Sequence, residues 1–144
     1  MAQTWLIVAD GARARFFERR SASDLSEFDV MISPEGRSEE RSLHSDRPGR
    51  SFDSRGDGRH AMEPAHSARD HEAEAFAKRV CKRLDEARLA GSVDKLVLIA
   101  PPRFLGHLRA SLSKGTQGIV AHSIDKELTQ ASPDEIAEHI PGVL

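Results

Sequence analysis

The feature that most restricts how this chain can fold is a break in its pattern after Gly36. Residues 37–71 hold seven Arg, seven acidic residues and four of the seven His, with only Leu43, Phe52 and Met62 as large apolar side chains. Such a stretch buries too little apolar surface to offset the entropy of ordering it. The core must therefore come from the two flanks, and residues 37–69 are predicted as a long polar, flexible loop within one α/β domain spanning 1–144.

The flanks differ in period. Before the break, Trp5–Ala9 is a continuous apolar run, as in a strand buried on both faces. Asp10-Gly11 is a hairpin turn signal. Ala12, Ala14 and Phe16 then alternate with Arg13, Arg15 and Phe17, and Phe28, Val30 and Ile32 alternate with Asp29, Met31 and Ser33 up to Pro34. After the break, Ala73, Phe76, Ala77, Val80 and Leu84 recur at helical spacing, with Ser67 or Asp70 as candidate cap and Gly91 at the C′ position. Leu96–Ala100 reads as a strand, Phe104, Leu105, Leu108 and Leu112 as a short helix, and Gly118–Ala121 as a brief strand. Ser132-Pro133-Asp134-Glu135 carries a capping box with Pro at N1.

The predicted order is βββαβαβα, a meander followed by two crossovers. Right-handed crossovers set the Leu96 strand parallel to the Trp5 strand and the next strand outside it. The expected fold is an α/β mixed five-stranded sheet with flanking helices, ribonuclease H-like in shape.

Composition narrows the function classes. With 21 basic and 23 acidic residues the formal charge is −2, which excludes a nucleic-acid binder held by net charge alone. A single cysteine, Cys81, excludes a disulfide framework or a multi-cysteine metal site, and beside Val80 it reads as a packed thiol. No run approaches a membrane span and the N-terminus lacks a basic signal region, so a cytoplasmic protein with no membrane partner is expected.

Three catalytic arrangements can be drawn on these residues. Asp10 ends a strand, where a metal-binding carboxylate would sit, but Asp125 is the lone matching acid at another strand end; a turn role before Gly11 accounts for it better. His60, His66 and His71 with Asp57, Glu63 and Asp70 fit no compact ligand spacing. Ser51, Asp53 and His60 form a triad on paper, without a strand-to-helix elbow to position the serine. No catalytic residue, metal or cofactor is expected.

The arginines say more. Sixteen of the 21 basic residues are Arg, and no Lys occurs before residue 78. Arginine forks suit phosphate and carboxylate. Arg13, Arg15 and Arg19 are predicted on one strand face. In the loop Arg47, Arg50, Arg55 and Arg59 alternate with Gly49, Gly56 and Gly58 around Phe52, which suits sequence-independent contact with a polyanion. The alternative is a charge-balanced loop that folds on a protein partner, with Phe52 as its anchor.

Three segments together carry a resemblance: Val8-Ala9-Asp10-Gly11-Ala12-Arg13-Ala14-Arg15-Phe16-Phe17, Gly49-Arg50-Ser51-Phe52-Asp53-Ser54 and Gly58-Arg59-His60-Ala61-Met62-Glu63-Pro64. With Leu96–Pro102 they make the chain resemble the bacterial host attachment protein family along essentially its whole length. That family is similar in turn to the middle domain of archaeo-eukaryotic peptide-chain release factors. The resemblance implies a release-factor-like fold, ribosome, tRNA or other RNA as partner, and a binding loop at Arg47, Gly49–Arg55 and Gly58–Glu63, with His60 and Met62 among its residues. Release factors carry Gly-Gly-Gln in this loop; residues 37–71 contain no glutamine, so the implied role is association without peptidyl-tRNA hydrolysis. An attachment phenotype would then arise indirectly.

Overall fold

The apolar run that opens the chain lies in the middle of the sheet. The computed structural model describes residues 3–34 and 58–141, residues 58–67 by their backbone alone. Strand β1 (Thr4–Ala9) is buried along its whole length. It pairs antiparallel with β2 (Arg13–Ser21), which pairs antiparallel with β3 (Asp24–Ile32). On its other side β1 pairs in parallel with β4 (Lys95–Ala100), and β4 in parallel with β5 (Val120–Asp125). The order across the sheet is β3-β2-β1-β4-β5, so β4 lies beside β1 and β5 outside it, as right-handed crossovers require.

Because side chains alternate along a strand, β1 and β4 feed two cores. Trp5, Ile7, Ala9, Leu96, Leu98 and Ala100 join Phe16 under helices α1 (Gly58–Leu89) and α2 (Pro102–Ser111). Leu6, Val8, Val97 and Ile99 join Phe17 under α4 (Pro133–Glu138). A one-turn helix, α3 (Lys114–Gln117), links α2 to β5.

The caps follow local chemistry. Ser132 Oγ accepts from the Glu135 N–H and Glu135 accepts from the Ser132 N–H, a complete capping box with Pro133 at N1. Hydrogen bonding to the carboxylate, from the Ser132 backbone first and the Ser132 side chain second, holds Glu135 below its usual range. At the end of α1, Ser92 N–H donates to Ala87 O and Gly91 N–H to Arg88 O. This is a Schellman motif, with Gly91 at φ +79°.

Three expectations are corrected. Helix α1 begins at Gly58 rather than near Asp70, so Ser67 and Asp70 are interior helix residues, not caps, and residues 58–69 are helical rather than loop. Ala61, Met62, Glu63, Ala65, Ala68 and Glu72 favour helix by propensity, but residues 58–69 carry no stripe of large apolar residues at helical spacing to betray it. The strand expected at Gly118–Ala121 runs from Val120 to Asp125. The Asp10-Gly11 turn is not a two-residue left-handed hairpin. Asp10 Oδ1 instead accepts from Ala12 N–H (2.8 Å) and Arg13 N–H (2.9 Å), closing a longer loop in which Gly11 needs no positive φ.

Candidate nucleic-acid interface

The loop candidates Arg47, Gly49, Arg50, Ser51, Phe52, Asp53, Ser54 and Arg55 lie outside the described residues. Gly58, Arg59, His60, Met62 and Glu63 fall in the first turns of α1. Ala73 of the same helix packs at 3.5 Å from where a Gly11 Cβ would sit, just past the end of β1. The fifteen helical residues before Ala73 span about 22 Å of axis at the usual rise.

Arg13, Arg15 and Arg19 do share one face of β2, opposite Thr4 and Val8 in the register, but it is the α4 face of the sheet, not the one α1 covers. Arg15 is engaged within the molecule. Its Nε and Nη2 donate to Glu27 at 3.1 and 3.0 Å, and its Nη1 donates to the carbonyls of Thr129 (3.1 Å) and Ala131 (2.7 Å). Arg19 donates to the Ser21 and Ala22 carbonyls.

Asp10 also serves structure. Besides closing its turn, it accepts from Thr129 Oγ1 at 3.1 Å through Oδ2, in competition with Glu127 at 2.7 Å. Among the described residues no three His, Cys, Asp or Glu side chains converge to hold a metal ion. Asp70 meets Arg103 at 3.5 Å and His107 at 4.0 Å, a link between α1 and α2. Cys81 is buried, its Sγ donating to Leu108 O. Burial, with the Asp85 charge adding to it, pushes the thiol up to about 12, far from a nucleophile's range.

Another polar cluster closes α1 against α3. Asp85 Oδ1 accepts from Ser113 Oγ (2.6 Å) and from Thr116 Oγ1, and Arg88 Nε donates to the same threonine at 3.1 Å. Partial burial works to raise the Asp85 pKa, but the bonds from Ser113 and Thr116, with the Arg88 charge, outweigh it and leave the carboxyl below its usual range. A Cβ at Gly115 would come within 2.6 Å of the Arg88 guanidinium, so a side chain there requires that flexible group to move.

Sequence reasoning missed a cationic ridge on α1. The dipeptides Lys78-Arg79 and Lys82-Arg83 stand four residues apart, which spreads four cations over about 140° of the helix surface within two turns. Lys78, Arg79 and Lys82 are exposed, and among the described residues none of them is ion-paired. Arg79 rests 5.6 Å above the Phe76 ring. Arg83 is tied down by Asp29 at 2.6 Å. Glu74 and Glu86 stand four residues from Lys78 and Lys82, one turn away along the same helix. The signal was present as a spacing, but it lies in the segment read for its apolar stripe.

The fold and the ridge together define a mixed-sheet α/β domain with a cationic patch on its long helix. A family model described as a protein required for attachment to host cells matches residues 5–140, and the chain belongs to this family. It is similar to an uncharacterized protein of Rickettsia prowazekii (strain Madrid E), 34% identical over 77 residues, which are 52% of this chain and 51% of that protein. The match thus spans about half the length of that relative. No described helix is long and apolar enough to cross a membrane.

Proposed function

We propose that this family member is a cytoplasmic accessory domain that associates with RNA, on the ribosome or as tRNA, through sequence-independent phosphate contacts. The observation that carries the reading is the ridge of Lys78, Arg79 and Lys82, exposed and without an ion-pair partner among the described residues. Cations four residues apart on a helix lie about 6 Å apart along its axis, a spacing suited to successive phosphates of one strand. The glycine-interleaved Arg50, Arg55 and Arg59 supply further forks for the same chemistry. Phe52 is the lone aromatic side chain between residues 37 and 71, so affinity comes from the backbone and not from base stacking.

The ribonuclease H-like, release-factor-like fold belongs to the same proposal. Lacking Gly-Gly-Gln, the domain binds without releasing peptide, and attachment to host cells is altered through translation or regulation of surface factors.

Co-sedimentation with ribosomes at two salt concentrations tests the reading. Replacing Lys78, Arg79 and Lys82 together with Ala should weaken binding to unrelated RNAs alike. It should also flatten the salt dependence by about two to three units, with thermal stability unchanged. The Arg50, Arg55 and Arg59 triple Ala variant should behave in the same way. If both variants sediment as wild type at both salts, the reading fails.

A further inference from the structure

The sheet has two edges, and they are treated differently. At the β3 edge a bulge interrupts the ladder at Phe28, where Phe16 faces Asp29 and Phe17 faces Glu27. The Val30 N–H is also taken by Asp29 Oδ1 at 2.8 Å. A local carboxylate on an edge N–H blunts an edge against strand addition, and a bulge is another such device. Strand β5 carries a bulge as well, at Ala121, so the two edges differ in the carboxylate and not in the bulge. At the other edge, β5 pairs only with β4 among the described residues. Its exposed side chains near the middle are Ala121 and Ser123, both small enough to let another backbone approach.

Alongside β5 runs a cleft of about 370 Å³. Its floor is Leu98, Leu112 and Val120, and its rim carries Arg109, Gln117 and Ser123. A register shift in β5 next to Leu96 and Val97 sets Ser123 rather than His122 opposite Leu98; both Ser123 and His122 line the cleft. Arg109 is exposed, and among the described residues no carboxylate lines the cleft. Asp125, the acid of this strand, stands at its far end.

We propose that this edge is a docking groove for an extended acidic peptide segment, which adds as a sixth strand beside β5. Its main chain pairs with β5 between Val120 and Ile124. One apolar side chain enters the cleft onto Leu98 and Leu112. A carboxylate at the Val120 end meets Arg109, where the guanidinium fork matches it. A peptide suits the site better than a compact ligand does, because the cleft lies along a row of backbone groups that only another strand can satisfy in series. The groove is independent of the cationic ridge, which lies on α1.

A displayed library of random heptapeptides selected on the full chain tests this, with hydrogen exchange reporting where the enriched, synthesised peptides bind. The expected sequences alternate apolar residues with polar ones and carry Asp or Glu near one end. At saturation they should slow amide exchange across residues 120–125. Arg109→Glu should weaken them by at least about tenfold, Arg109→Lys less, with the circular dichroism melt of both variants unchanged. The proposal is overturned if selection yields nothing above an unrelated control protein, if enriched peptides lack acidic residues, or if protection falls elsewhere with 120–125 unaffected.

Discussion

Phe16 and Phe17 are neighbours in β2, both fully buried, and they point into opposite cores. Each is covered by an arginine. The Arg83 guanidinium lies 5.0 Å over the Phe16 ring and pairs with Asp29; that of Arg15 lies 4.9 Å over Phe17 and pairs with Glu27. The bulge at Phe28 sends the two acids to different faces, one for each arginine. The faces differ in what lies above them. Phe16 sits beneath a 32-residue helix and meets Trp5 edge-on at 6.4 Å. Phe17 sits beneath a six-residue helix whose approach is held by Arg15 bonds to the carbonyls of Thr129 and Ala131. An arginine-rich chain is therefore not automatically a phosphate-binding one, because part of its guanidinium supply closes the sheet.

Substitutions can break this comparison. Phe16→Ala should have the largest effect, about 3–5 kcal/mol of stability, because α1 is packed on the sheet through Phe76, Ala77, Val80 and Leu84 together and cannot settle into the gap. Phe17→Ala should fall at or below the lower end of that range, since a short terminal helix can shift inward. Equal losses in urea titrations would show that the two cores are equally rigid. Arg15→Lys should cost about 1.5–3 kcal/mol by losing charged hydrogen bonds that a point ammonium cannot reproduce together. Chemical shifts in that variant should change along α4 and not along α1.

Smaller effects sharpen the picture. Gly91→Ala should cost about 1 kcal/mol, since space for a Cβ is open at Gly91 and only its positive φ resists; a neutral result would mean that the helix end relaxes. Cys81 tests the α1 face by pH. The folded thiol keeps its proton up to about 12, whereas an unfolded one has an ordinary value of 9.0. Its contribution to stability is therefore complete below about pH 9 and declines as pH rises toward 12. Cys81→Ala should remove that decline from the stability profile, and native Cys81 should resist alkylation at pH 8.

Much of this was legible beforehand, and the reason is locality. The Trp5–Ala9 run names a central strand because only a strand covered on both faces is apolar at every position. Gly91 and the Ser132–Glu135 box announce helix ends because their partners lie within a few residues. The first half of α1 was not legible, since the signal sought was an apolar stripe and Gly58 and Pro64 argue locally against helix. The ridge was legible as two Lys-Arg pairs four apart, once that stretch is known to be helical.

By itself, then, the sequence determined the first four strands, the helix ends at Gly91 and Ser132, the turn role of Asp10 and the packed thiol, all set by neighbours along the chain or by periodicity. Tertiary structure alone decided which arginines are available. The carbonyls that hold Arg15 lie 114 and 116 residues away, and the acid that holds Arg83 stands on a strand beyond the long polar segment. Pairing across such separations leaves no periodic trace, because a guanidinium reads alike in sequence whether it meets a carbonyl, a carboxylate or a phosphate.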